Sequence, residues 1–352
     1  MNDATIRRVR LYNQLLTTCS LKEPQEVVSW MGAMQAQAYS MAKWAIGLRL
    51  PETTDRLVEQ AINEGKIIRT HIMRPTWHFV SADDIYWMLE LTAPRIKSII
   101  KNYHKHFNDD DLYLERTTPL MLKVLEKEPH LTKQEIADRM NATGLDIDLH
   151  RLGNVMTWAE LDAVVCNGIV KGSKQTYCLL ETRAKKKASL TKDEAIAKLA
   201  ERYFSSHGPA TLQDFVWWSG LTTTDARKGI EYIQPAFISE KKGEQTYWFK
   251  SDLQLPPDSD EPSTLLLPAF DEYIVGYKDR AEILVDKHYK KVISMNGIFS
   301  PAVTLNGEII GTWKNASIKS KGAELTFFEK VSKKTESLFK PVSDAYKSFR
   351  NG

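Results

Sequence analysis

Residues 209–249 read PATLQDFVWWSGLTTTDARKGIEYIQPAFISEKKGEQTYWF, and the order of elements in this stretch decides the architecture. The pattern predicts a short helix capped at 211–214, a turn at 220–222, a second helix over 225–233, and a β-hairpin over 237–249 that turns at 241–243. Helix, turn, helix and hairpin is the order of a winged helix, an elaborated helix-turn-helix.

The same order occurs earlier in the chain, over residues 132–180. It comprises a capping box of Thr132 with Glu135, a turn at 141–144, a helix over 149–166, and two strands over 168–180 around a Gly-Ser-Lys turn. Both hairpins contain Gln-Thr-Tyr, at 175–177 and 245–247. The segment 66–80 predicts two further strands, interrupted near Pro75 because proline cannot donate to a sheet ladder. Three winged helices in tandem are therefore predicted.

The character of the sequence changes after the third hairpin. Residues 255–262, LPPDSDEP, are typical of a linker, and Asn296-Gly297 and Asn306-Gly307 favour tight β-turns. We expect an α+β fold in which a small antiparallel β-sheet or barrel follows the winged helices. The predicted domains are three winged-helix regions at 1–110, 111–187 and 188–252, and a C-terminal domain at 263–352.

Composition is typical of a globular protein. The 352 residues include 48 Lys plus Arg and 45 Asp plus Glu, with 42% hydrophobic and 26% charged residues. This balance argues against a disordered tail, a fibre or a strongly basic nucleic-acid clamp. The first ten residues hold no apolar secretory segment, and no apolar run reaches the length of a membrane helix. Three cysteines without a CxxC pair favour a reduced, cytoplasmic protein with no membrane partner.

Winged helices usually bind DNA, with the second helix in the major groove and the wing on the backbone. The basic residues predicted to lie on those elements are Arg151, Lys171, Lys174, Lys241 and Lys242. Alternatively, these are solvated surface charges, and the repeats only scaffold protein contacts. The net charge of +3 does not decide between these interpretations, because nine basic and four acidic residues are concentrated within 314–352.

Two glutamines stand where one predicted helix ends and the next begins. Gln35 and Gln37 flank Ala36, and at an extended corner between helices both side chains can face one cleft. Alternatively, they cap the helix end. Thr76 and His78 alternate onto one face of their strand and can line the same cleft, or His78 can simply bond to backbone.

No cofactor or metal is predicted. His104 and His106 precede three aspartates at 109–111, but histidines two apart on a helix diverge, and no second pair has ligand spacing. The sequence also contains no phosphate-binding GxxxxGK[ST], no GxSxG and no dinucleotide fingerprint. A nucleotide cofactor and serine-type acyl transfer therefore lose support.

Several motifs resemble, in order, those of the AlkZ/YcaQ family of bacterial DNA glycosylases. They are GAMQAQ at 32–37, RPTWHFV at 74–80, HGPAT at 207–211, LPAFDEY at 267–273, GYKDR at 276–280 and the segment 296–313. The resemblance implies tandem winged helices around a C-terminal β-barrel, a basic channel for damaged duplex DNA, and a monomer. It also implies hydrolysis of the N-glycosidic bond of alkylated, N7-linked purines and, in some members, of interstrand crosslinks.

The AlkZ branch of that family carries a Gln-apolar-Gln catalytic motif, which Gln35-Ala36-Gln37 matches, whereas the YcaQ branch has an acid at the second position. The resemblance therefore implies that Gln35 and Gln37 are catalytic, and we expect Arg74, Thr76 and His78 to contact DNA. A glutamine amide accepts no proton at neutral pH, but it can orient a water, which suffices for a base that is already cationic. The alternative is a non-enzymatic winged-helix DNA-binding or regulatory protein in which both glutamines are caps.

Overall fold

A computed structural model describes residues 1–104, 111–253, 261–316 and 322–352. The helices are α1 (Asp3–Asn13), α2 (Pro24–Met31), α3 (Tyr39–Arg49), α4 (Asp55–Asn63), α5 (Ile85–His104), α6 (Asp111–Lys127), α7 (Lys133–Asn141), α8 (Leu149–Leu161), α9 (Lys192–His207), α10 (Leu212–Ser219), α11 (Thr223–Ile233), α12 (Glu272–Val275), α13 (Tyr289–Val292), α14 (Lys333–Ser337) and α15 (Lys340–Asn351). The strands are β1 (Met34–Gln35), β2 (Ile67–Ile72), β3 (Thr76–Ser81), β4 (Val165–Asn167), β5 (Tyr177–Leu179), β6 (Ala210–Thr211), β7 (Phe237–Lys242), β8 (Gln245–Lys250), β9 (Thr264–Leu267), β10 (Ala302–Leu305), β11 (Glu308–Asn315) and β12 (Ala323–Phe327).

The two segments that decided the predicted architecture fold in the expected order. Helices α7 and α8 precede the β4–β5 pair, and helices α10 and α11 precede the β7–β8 hairpin. Both predicted capping boxes form: Thr132 and Thr211 each accept from the backbone three residues ahead, and Glu135 and Asp214 bond back. These bonds satisfy N–H groups that a helix leaves unpaired at its start. The result is a mixed α+β fold with antiparallel sheets.

The predicted end of one helix is wrong. The helix expected over 149–166 ends at Leu161, and Val165–Asn167 form strand β4. Ala163 has a positive φ of 57°, which ends the helical path, and the β-branched residues that follow favour a strand. The β4–β5 ladder consequently begins three residues earlier than predicted, and Lys171 and Lys174 form only an isolated bridge near its tip.

The first sheet has the strand order β1-β3-β2, all antiparallel. Strands β2 and β3 are the pair predicted around Pro75. The two-residue strand β1 joins α2 to α3 and pairs Gln35 with His78, which pairs in turn with Thr70 of β2. Side chains directly opposite each other project from the same face, so these three polar residues share one side of the sheet.

The C-terminal sheet is antiparallel, as predicted, with the strand order β12-β11-β10-β9. Asn306 and Gly307 have φ angles of 52° and 77° and form the tight turn between β10 and β11. Pairing in the described ranges leaves this sheet open rather than closed into a barrel. One hydrophobic core joins it to the N-terminal helices, with Val28 and Trp44 packing alongside Val303 and Phe349 of α15.

A second hydrophobic core fills the space between β2–β3, helix α5 and helices α9 to α11, with Tyr203, Phe215 and Trp218 at its centre. Ile72 lies on the same face of the first sheet as Gln35, and Ile72 belongs to this second core. That face of the sheet therefore packs against the second core. Within the described ranges, none of the helices combines the length and the hydropathy needed to span a membrane.

Candidate active site

Strand β1 places the two glutamines. The N–H of Ala36 donates to the carbonyl of Trp77 at 2.6 Å, and its carbonyl accepts from Arg69 Nε at 3.0 Å. The backbone is therefore held extended through the corner between α2 and α3, and residues two apart on an extended chain point the same way. Gln35 is buried, whereas Gln37 is exposed.

The two carboxamides contact each other and one arginine. Nη2 of Arg74 donates to Oε1 of Gln35 at 3.0 Å, and Nε2 of Gln35 donates to Oε1 of Gln37. A guanidinium only donates, so Arg74 fixes which end of the Gln35 amide carries the oxygen. The side chains bond to Arg74 and to each other, rather than to the end of α2 as capping groups would.

The turn between β2 and β3 supplies Arg74. Gly220, with a φ of 70°, caps the C-terminus of α10, and a Cβ there would lie 2.4 Å from the carbonyl oxygen of Met73. Only glycine permits this close approach, which holds the turn against α10. The guanidinium of Arg74 lies 5.7 Å from the ring centroid of Trp217, whose side chain is 39% exposed.

A buried carboxylate lies behind the glutamines. Oε1 of Glu272 accepts from the backbone N–H of Gln35 at 2.7 Å, and its Oε2 accepts from Trp218 Nε1 at 3.0 Å. Nε2 of His207 lies 3.5 Å from Oε2. Burial opposes ionisation of Glu272, but the His207 contact and the charge of Arg74 outweigh it and lower the pKa of this carboxyl. Glu272 is thus a negative charge held beside the glutamines at neutral pH.

His78 occupies the same face of the sheet. Its Nδ1 lies 2.9 Å from the carbonyl oxygen of Thr76, so Nδ1 carries the proton and Nε2 is an acceptor. Nε2 of His78 and the hydroxyls of Thr70 and Thr76 are buried atoms without a hydrogen-bond partner in the described part of the chain. His78 thus bonds to backbone on the side of the sheet that carries Gln35, and its full burial does not fit the direct DNA contact expected for it.

Stability is expected to fall in mild acid because of His78. Burial, reinforced by the charge of Arg74, lowers the pKa of His78 from 6.5 to about 3. Between these values the unfolded chain binds a proton that the folded chain does not, so acid favours unfolding. We expect His78 to remove about 2 kcal/mol of the free energy of unfolding between pH 7 and pH 5. Urea unfolding of the parent and of His78→Gln at both pH values measures this, and an equal pH dependence in the two proteins would contradict it.

The other residues predicted to contact DNA lie on elements away from the glutamines. Arg151 is in the first turn of α8, with its guanidinium 5.4 Å from the ring of Tyr113. Lys171 and Lys174 are exposed at the tip of the β4–β5 pair, and Lys241 is exposed on β7. Lys242 instead approaches two carboxylates, at 2.5 Å from Asp3 and 3.3 Å from Glu282.

The sequence reasoning did not single out Glu272, His207 or Trp218 as site residues. The available signal was the acidic pair Asp271-Glu272 within the apolar string LPAFDEY, since adjacent acids in such a string are rarely buried without a specific partner. No cluster of three or more potential metal ligands occurs in the described ranges, and the side chains of the 104–111 segment lie outside them.

Comparisons with known proteins identify the family and support the fold. The sequence profile of the family described as "DNA glycosylase AlkZ-like" matches residues 28–348. An "Interstrand DNA cross-link repair glycosylase" of Streptomyces sahachiroi is 23% identical over 320 residues, which cover 87% of this chain and 85% of that protein. The solved structure of the Streptomyces sahachiroi DNA glycosylase AlkZ superposes with a TM-score of 0.83 at 20% identity, covering 99% of this chain and 98% of that one. The chain belongs to the AlkZ-like family of DNA glycosylases.

Proposed function

We propose that this DNA glycosylase hydrolyses the N-glycosidic bond of N7-alkylated purines in duplex DNA, including purines joined in interstrand crosslinks. The observation that carries the proposal is the hydrogen-bonded series from Arg74 through Gln35 to Gln37, which runs from the buried interior to an exposed amide. The name of the Streptomyces sahachiroi relative, a crosslink repair glycosylase, supports the choice of lesion.

In this proposal the two glutamines have different roles. Gln35 is a positioning residue, because its amide is held by Arg74 and in turn orients Gln37. Oε1 of Gln37 accepts the N–H of Gln35 with one lone pair, and its other lone pair can accept from a water O–H. The water oxygen then keeps a lone pair directed away from Gln37, toward C1′ of the lesion nucleotide.

The chemistry needs no strong base. An N7-alkylated purine is cationic and departs as a neutral base when the C1′–N9 bond breaks, leaving an oxocarbenium-like sugar. The oriented water adds its lone pair to C1′ and releases its proton to solvent. The negative charge of Glu272 favours the positive sugar in this partly buried site, where electrostatic interactions are screened less than in water.

DNA is the partner of this family. We infer that three winged helices, over 1–110, 111–187 and 188–252, bind the duplex together with the C-terminal domain at 263–352. The helix, helix and hairpin order of α7–β5 and of α10–β8 supports this arrangement. Arg151, Lys171, Lys174 and Lys241 are the phosphate contacts of this proposal, whereas Lys242 pairs with Asp3 and Glu282. That the protein is a cytoplasmic monomer stays a prediction.

The test is base release from defined duplexes. The protein is incubated with a duplex carrying one N7-methylguanine, and abasic sites are then cleaved with alkali. We expect scission at the lesion and none in the undamaged duplex. Scission no greater than in a protein-free control would refute the proposal. A crosslinked duplex, scored by separation of its strands in a denaturing gel, tests the second substrate in the same way.

A further inference from the structure

Exposed apolar side chains concentrate in one segment of the C-terminal region. Ten large hydrophobic residues in the described ranges are exposed, and four of these lie between 285 and 298. They are Val285, Tyr289, Met295 and Ile298. Scattered exposed residues need no explanation, but a cluster in one short segment marks an interaction surface.

Two of these side chains form the tip of a closed loop. Met295 is 97% exposed and Ile298 is 55% exposed. The backbone N–H of Ser294 donates to the carbonyl of Ile298 at 2.9 Å, and the N–H of Ile298 donates to the Ser294 hydroxyl at 3.1 Å. The loop reverses at Gly297, which has a φ of 71°. The two apolar side chains are therefore presented to solvent by a hydrogen-bonded frame.

Consecutive contacts connect this loop to the glutamines. Phe299, at the base of the loop, lies against the Arg280 guanidinium at 5.1 Å, and the same guanidinium lies 5.5 Å from the Trp217 ring. Trp217 is the partner of Arg74, which bonds to Gln35. This series of packed side chains runs through the buried Phe299 and Arg280, and it connects the base of the loop to Trp217 and to Gln35.

The flanks of the loop are basic. Residues 285–298 contain Lys287, Lys290 and Lys291 but a single acid, Asp286. All three lysines are exposed, and Lys287 pairs with Glu329 at 2.8 Å. An apolar tip with positive charge beside it complements a base stack flanked by phosphates, and architectural DNA-binding proteins insert Met and Ile side chains between base steps in this way.

We propose that Met295 and Ile298 form a wedge that enters the base stack next to the lesion, while Lys290 and Lys291 contact the flanking phosphates. The proposal rests on the proposed function, base removal from duplex DNA. A crosslinked purine cannot be extruded, because it is bonded to the opposite strand. A wedge in the neighbouring step opens the stack and exposes C1′ while the crosslinked base stays in place.

The test uses the full chain and a duplex with 2-aminopurine, whose fluorescence rises when it unstacks, beside one N7-methylguanine. The parent is expected to raise the fluorescence roughly twofold or more on binding, and Met295→Ser/Ile298→Ser to abolish the rise and slow base release about tenfold. Both side chains are exposed, so the variant should keep the parent circular dichroism spectrum and unfolding midpoint. Leu57→Ser, at another exposed apolar residue, on α4, is the control and should behave like the parent.

The fluorescence is read on binding and needs no base release, so it separates the wedge from the chemistry. Gln35→Ala/Gln37→Ala should retain the fluorescence rise while losing base release. If Met295→Ser/Ile298→Ser raises the fluorescence as the parent does, the wedge is refuted whatever the rate of base release. If the parent gives the rise without releasing base, the proposed reaction fails and the wedge stands.

Discussion

Replacement of Gln37 by alanine is expected to lower the single-turnover rate of base release from N7-methylguanine duplex roughly 100-fold, since a water without a fixed partner loses its orientation toward C1′. Gln35→Ala should give a similar loss, because Gln37 is then no longer held by the Gln35 amide. DNA affinity should change little, as neither residue carries charge. A reduction below threefold in both variants would contradict the assigned roles.

The hydrogen-bond directions make a sharper prediction for glutamate substitutions. Gln37→Glu keeps an oxygen that accepts from Gln35 and from water, so it should retain most of the activity that Gln37→Ala loses. Gln35→Glu keeps the contact with Arg74 but removes the N–H that Gln37 accepts, and it places an anionic oxygen against the Gln37 oxygen. It should therefore be as slow as Gln35→Ala.

The matched control is Gln60→Ala. Gln60 is exposed on α4, where its amide donates to Glu64 one turn further along the helix. Its loss should leave the rate of base release unchanged. Equal activity of Gln35→Glu and Gln37→Glu would show that the donor from Gln35 is not needed, and the ordered series from Arg74 to Gln37 would then have to be abandoned.

Local patterns predicted the elements that carry the site. Thr132 and Thr211 begin their helices because a capping box depends only on residues three positions apart in sequence. Asn306-Gly307 turns a hairpin because both residues tolerate positive φ. The extended corner at Gln35 was one of two interpretations that the local sequence left open, and it depends on pairing with β3.

The surroundings of the glutamines could not be predicted in the same way. Arg74 and Glu272 lie 39 and 237 residues from Gln35 in sequence, and they reach it through strand pairing and the packing of α12. No local periodicity encodes such contacts. The helix boundary at Leu161 was missed for a related reason, since Ala163 is an ordinary helix former and its positive φ is set by the strand pairing that follows.

A buried ion pair anchors the segment that carries Glu272. Nη1 and Nη2 of Arg49 donate to Oδ2 and Oδ1 of Asp271 at 2.8 and 2.9 Å, and both side chains are fully buried. Asp271 also caps α12 by accepting from the N–H of Tyr273 at 2.9 Å. This bidentate contact fixes the position of α12 on α3, and with it the carboxylate that accepts from Gln35.

We expect Arg49→Met to lower the free energy of unfolding by about 3–5 kcal/mol, because the Asp271 charge is left buried without its partner. The double variant Arg49→Met/Asp271→Asn removes that charge while an amide oxygen still caps α12, so it should be more stable than Arg49→Met alone. Urea unfolding followed by circular dichroism measures both. Arg139→Met, which breaks the exposed pair of Arg139 with Glu128, should leave the midpoint unchanged. The contradicting outcome is a double variant that is less stable than Arg49→Met. The stability lost in Arg49→Met would then come from packing around the arginine stem and not from an unpaired charge, and the electrostatic explanation of how α12 is held would be wrong.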